Sequence, residues 1–185
     1  MPSNKDRLYV ALFARAGKSK MPGLEDTYHW GLLVGPKAEP KEGGEGTRFH
    51  AKQRMTVAEG SAVPQSVWLY EESPFPLRAT NMLLLRVVVG KIKDMERLQS
   101  IFQRIPLRPD VPGWNCIEWA KEAFETALRD GQALGTSASD WGSVRDTAMR
   151  YAGEKKSAHR FDGKGDFDIS KPPTWDMLDG RELIP

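Results

Sequence analysis

The chain has 185 residues, 39% of them hydrophobic and 28% charged, enough to build the core of one domain. Lys and Arg number 27 against 25 Asp and Glu, and this net charge of +2 neither requires nor excludes a nucleic-acid partner. One cysteine excludes an intrachain disulfide, and the longest apolar stretches, residues 28–34 and 82–89, fall well short of the roughly 18 residues that cross a bilayer. Residues 1–20 hold only a short apolar run, 8–14, without a signal-peptide profile, so the expectation is a soluble, cytoplasmic protein.

In chain order, residues 7–14 are apolar and β-rich, and 16–26 carry Gly, Lys and Pro as a loop. A strand follows over 28–34 and is ended by Gly35-Pro36. The polar link 37–46, with the turn Gly43-Gly44-Glu45-Gly46, returns the chain as a long hairpin into a strand over 47–53. That places His29 and His50 on neighbouring strands. Residues 66–71 alternate as a strand and 83–89 form a largely buried one, with Pro74 and Pro76 separating them. Met95, Leu98, Ile101, Phe102 and Ile105 mark a helix over 94–105, and a proline-rich loop, 106–113, then leads to Cys116.

Asn115 caps a helix that runs to Asp130 and stops at Gly131, with Cys116, Ala120, Ala123, Phe124 and Ala127 on one stripe. The cysteine therefore faces the body of the protein. A last helix starts at Ser139 or Asp140 and ends near Tyr151. The tail, 157–185, is rich in glycine, proline and charge, and Phe161, Phe167 and Trp175 anchor it to a single domain spanning 1–185. No metal-ligand cluster, dinucleotide fingerprint or phosphate loop is present, and His159 has no assigned role; no metal and no cofactor are expected.

A thiol at a helix start with histidines on nearby strands is the constellation of nucleophilic catalysis. His29 would take the thiol proton, His50 or a nearby polar group would orient it, and backbone amides at the helix start would hold an oxyanion. Taken alone, a free cysteine is more often a small buried hydrophobe, and a strand histidine more often a core or edge residue.

Three ordered strings alter that balance: Tyr-His-Trp-Gly-Leu-Leu-Val-Gly from Tyr28, Arg-Phe-His-Ala from Arg48 and Trp-Asn-Cys-Ile-Glu-Trp from Trp114. They resemble the motifs of the lecithin:retinol acyltransferase and H-Ras-like suppressor group, within the circularly permuted NlpC/P60 papain-like superfamily. The resemblance implies an α+β fold, a small antiparallel sheet packed against helices, with His29 as base, His50 as its orienting partner and Cys116 as nucleophile. Ile117 stands where that group has glutamate, Glu118 comes one step later, and the link between the histidines is longer, which points away from phospholipid as substrate.

Over most of its length, including Tyr-His-Trp-Gly-Leu-Leu-Val-Gly-Pro-Lys and the helix start Ser139-Asp140-Trp141, the chain also resembles a set of fungal proteins associated with arginine-containing cyclodipeptide synthases. That resemblance implies aminoacyl-tRNA, specifically arginyl-tRNA, as substrate and an aminoacyl thioester on Cys116. A carboxylate would then pair with the guanidinium, and Glu118, Asp140 and Glu72 are its candidates. Asn115 and Trp30, beside the nucleophile and the base, complete the substrate-binding set. Scattered basic residues such as Lys18, Lys20, Lys37, Lys52 and Arg54 offer contacts to phosphates, although a surface lysine more often only solubilises. An amidase or isopeptidase using the same dyad, and a binding module without catalysis, are the alternatives.

Overall fold

The computed structural model describes residues 5–41, 43–78 and 82–185. The link between the second and third strands is thus described except at residue 42. Eight strands form one sheet: β1 (Arg7–Phe13), β2 (His29–Gly35), β3 (Glu45–Val57), β4 (Pro64–Pro76), β5 (Leu83–Ile92), β6 (Leu134–Ser137), β7 (Thr174–Asp176) and β8 (Arg181–Ile184). Three helices accompany them, α1 (Met95–Gln103), α2 (Cys116–Asp130) and α3 (Trp141–Ser157). The strand order is β4-β3-β2-β1-β5-β7-β8, with β6 paired to β5, and only the β5–β7 pair is parallel. The fold is α+β, as the sequence implied.

Each helix begins where a short polar side chain satisfies free backbone N–H groups. Asp94 Oδ1 accepts from Arg97 N at 3.0 Å, Asn115 Oδ1 from Ile117 N at 2.9 Å, and Asp140 Oδ1 from Ser143 N at 2.8 Å. Gly131 ends α2 at φ 69°, in the left-handed region that costs glycine nothing.

β1 is buried along its entire length, RLYVALF, because both faces of the sheet are covered. Strand alternation divides the apolar side chains between those faces. Trp30, Leu32, Phe49, Ala51, Leu85 and Val87 face the helices and join Trp119, Phe124, Trp141 and Tyr151 in the main core. Tyr9, Ala11, Phe13, Leu33, Phe75, Leu83 and Val88 form a smaller cluster on the opposite, outer face.

Two expectations are corrected. The strand expected over 66–71 runs on as β4 through Pro74 to end at Pro76, which still precedes β5; β4 is the outermost strand of the sheet, where a missing N–H costs no ladder bond on the open side. α3 runs six residues beyond Tyr151, to Ser157, and the tail after it contributes β7 and β8 to the sheet. Trp175 on β7 sits 5.9 Å from the Tyr151 ring, and Phe167 lies under the Arg160 guanidinium at 4.9 Å, so the aromatic anchors fasten the tail. No described helix is long and apolar enough to cross a membrane.

Candidate active site

β2 and β3 pair only from Leu32↔Phe49 to Val34↔Thr47. Beyond that ladder no residue pairs continue between the two strands over His29, Trp30 and Gly31. The N-terminus of α2 enters this gap. The Trp30 backbone N–H donates to the Cys116 sulfur, which takes the place that a strand carbonyl would otherwise fill.

The imidazoles are on the outer face. Alternation puts His29, Gly31 and Leu33 on that side of β2, and a Cβ added at Gly31 would sit 3.3 Å from both His50 Cβ and Phe13 Cε2. His29 Nε2 lies 2.7 Å from His50 Nδ1, and His50 Nε2 lies 3.0 Å from Glu71 Oε1 on β4. His50↔Glu71 is a directly opposed pair in the β3–β4 register. Arg48 Nη2 bonds the same carboxylate at 3.0 Å, and Lys52 bonds its other oxygen.

This geometry fixes the tautomers from the carboxylate outward. An ionised Glu71 only accepts, so His50 donates through Nε2 and its Nδ1 is an acceptor. His29 must then donate through Nε2, which leaves His29 Nδ1 with a free lone pair. The series is Glu71, His50, His29, with the basic nitrogen on His29 at its end.

The titration behaviour agrees with neutral imidazoles. Burial, reinforced by His50, Arg48 and Arg15, lowers His29 to about 3. Burial also lowers His50, to about 4, against the opposing hydrogen bond to Glu71. For Glu71, burial acts upward, yet the hydrogen bonds from His50 and Lys52 outweigh it and bring the carboxyl down to about 2. Burial raises the Cys116 thiol, opposed by the Trp30 N–H, Arg15 and the N–H groups of Cys116 and Ile117. The thiol and both imidazoles are therefore neutral near pH 7.

Cys116, His29 and His50 line one cavity of about 600 Å³. Arg15, Lys20, Arg48 and Lys52 give it a positive rim, and Trp68 and Trp114 form an aromatic wall with ring centroids 5.2 Å apart. Asp26 is the one carboxylate among the lining residues, and it already accepts from Ser19 Oγ and from the backbone N–H groups of Lys20, at 2.7 Å, and Met21, at 3.1 Å. Two buried donors of this lining, Arg48 Nε and Trp114 Nε1, have no hydrogen-bond partner among the described residues.

The other expected site residues are distributed more widely. Asn115 lines the cavity and caps α2. Trp30 is fully buried in the main core, its Nε1 donating to Glu25 O at 2.8 Å. Glu72 is held on the opposite side of β4 from Glu71 by Tyr70, Gln99 and Gln103. Asp140 caps α3, and neither it nor Glu118 lines the cavity. The carboxylate that joins the histidines, Glu71, was not among the candidates. Strand parity could have indicated it: Trp68 and Tyr70 face the core, so Glu72 shares their side and Glu71 the other.

Fold and site together define an α+β protein in which a hydrogen-bonded Glu71-His50-His29 series and the Cys116 thiol meet at one cavity. A family model described as a family of unknown function (DUF6914) matches residues 5–184, and the chain belongs to that family. No curated protein and no solved structure matches it. Among the described residues no group of three His, Cys, Asp or Glu side chains is placed to hold a metal ion.

Proposed function

We propose that this protein is a cysteine-dependent acyltransferase of permuted papain-like type, working through a thioester on Cys116. The observation that carries the reading is the hydrogen-bonded series Glu71, His50, His29, which leaves a free basic nitrogen in the same cavity as a thiol at a helix N-terminus. His29 Nδ1 takes the thiol proton as sulfur attacks an acyl carbonyl. The Cys116 backbone N–H and the unpartnered Trp114 indole N–H are donors for the oxyanion. The C–S bond forms, the acyl–oxygen bond breaks, and His29 returns its proton to the departing hydroxyl.

The positive rim suits a donor that carries phosphates near its acyl ester, and aminoacyl-tRNA is such a donor. In the specific form of this proposal, the protein makes an arginine-containing cyclodipeptide in the cytoplasm. A second aminoacyl group accepts the arginyl unit from the thioester, and ring closure releases the product. Within the cavity the guanidinium would meet the faces of Trp68 and Trp114 and the carboxylate of Asp26, in place of Glu118, Asp140 or Glu72.

Incubation with arginine, its tRNA, the cognate synthetase and ATP, followed by intact-protein mass spectrometry, tests this. An arginyl adduct on the wild type that disappears in Cys116→Ala is the expected result. An adduct that survives Cys116→Ala, or none on the wild type, overturns it. Turnover of model amides without tRNA would identify a hydrolase instead.

A further inference from the structure

On the outer face of the sheet, beyond the Tyr9, Phe13, Phe75 cluster, lies a second cavity of about 600 Å³ that shares no lining residue with the first. Arg86 on β5 lines it and is 1% exposed. Its Nε donates to Thr174 Oγ1 at 2.9 Å, its Nη2 pairs with Glu39 Oε1 at 2.6 Å, and its guanidinium lies 4.8 Å from the Tyr9 ring centroid. Nη1 has no hydrogen-bond partner among the described residues. A buried cationic donor left without an acceptor is costly unless a ligand supplies one.

The rim sharpens what that ligand is. Lys37, Lys41, Arg78 and Lys171 are exposed and line the same cavity, while Glu39, the one carboxylate of the lining, is already engaged by Arg86. Cations outnumber carboxylates five to one in this lining, which favours a dianionic group over a single carboxylate. The volume exceeds what a bare phosphate fills and lies in the range of small-molecule sites, with Leu77 and Ile184 offering apolar wall for an organic body.

We propose that this cavity binds a small phosphomonoester of about nucleotide size, its phosphate seated on Arg86 Nη1 and held by the surrounding lysines. The phosphate oxygens accept from the guanidinium in the way that fork-shaped donors recognise such groups. The site is independent of the thiol chemistry and stands whether or not Cys116 carries an acyl group.

Calorimetric titration of the full chain with AMP, inorganic phosphate and adenosine tests it. AMP is expected to bind saturably and adenosine at least about tenfold more weakly, as loss of charge-assisted contacts requires. The double variant Lys41→Glu/Lys171→Glu, altered only on the exposed rim, should weaken AMP by at least about tenfold, and Arg48→Ala in the thiol cavity should leave AMP unaffected. Arg86→Lys should weaken AMP if it folds; the rim variant decides the matter if it does not. Equal AMP affinity in the rim variant, loss of AMP binding in Arg48→Ala, binding of inorganic phosphate alone, or no saturable binding would each overturn the proposal.

Discussion

His29 and His50 have the same side chain and, in the proposed mechanism, different tasks, and their neighbours impose the difference. His50 is held between two partners, an acceptor on Nε2 and a donor on Nδ1, so it can only orient. His29 has one bonded nitrogen and one free, so it can act on a substrate. The tautomer of the whole series depends on Glu71 being an acceptor alone. Glu71→Gln introduces an amide whose N–H2 end can face His50 and reverse the series. We expect kcat to fall by about 10- to 100-fold, part of what a general base contributes, with secondary structure intact by circular dichroism. KM for the donor should not rise, because Glu71 does not line the cavity and its loss frees Arg48 and Lys52. An unchanged kcat would show that His29 needs no orienting carboxylate.

The separation of β2 from β3 is the element-scale device that makes the site. A continued ladder would seal the gap and exclude the start of α2, so three pairs are formed and no more. Gly31 adjoins that gap and allows His50 to come close. In Gly31→Ala the new methyl would crowd His50 Cβ and Phe13 at 3.3 Å and Phe49 O at 3.4 Å, and a strand carbonyl is slow to yield. We expect Gly31→Ala to lower activity by about tenfold through displacement of His50, with a destabilisation of about 1–3 kcal/mol by thermal melting. Full activity would mean that the series tolerates movement.

Much of this layer was legible in advance. Apolar patterning marked five of the strands, the cap at Asn115 marked the start of α2, and the starts of the other two helices were placed within two residues. What was not legible depended on neighbours far along the chain. Pro74 reads as a strand break until β4 is known to be the edge, and the short strands β6, β7 and β8 gain their ladder from β5 and from each other. Their own four- and three-residue lengths carry no periodicity to read. The positive rim was equally hidden, since Arg15, just after β1, meets Arg48 and Lys52 of β3 only when the two segments converge.

At the scale of the molecule the two imidazoles and Glu71 make stability fall toward acid pH. His29 and His50 have folded pKa values near 3 and 4, below their ordinary 6.5, so between those values the unfolded chain binds more protons than the folded one. Folded stability therefore falls as pH drops from about 6.5 toward 4. Glu71 adds to the loss at the acid end, where its carboxyl, brought down to about 2, would protonate in the unfolded chain first. Thermal melts between pH 8 and 4 should show a falling midpoint, and a His29→Ala variant should show a shallower slope. Parallel curves for the two proteins would remove these imidazoles from the account.

Cys116 belongs to the helical layer and His29 to the outer face, so the pair in the proposed mechanism would be assembled across the sheet by the docking of α2 on β2 and β3. Under that proposal, activity is a ruler for the docking. Sliding of one layer by a fraction of an ångström separates sulfur from nitrogen while every strand ladder and helix stays formed. In a graded urea series the proposed acyl transfer should stop before the far-ultraviolet spectrum changes, making it the earliest sign that the layers have begun to part.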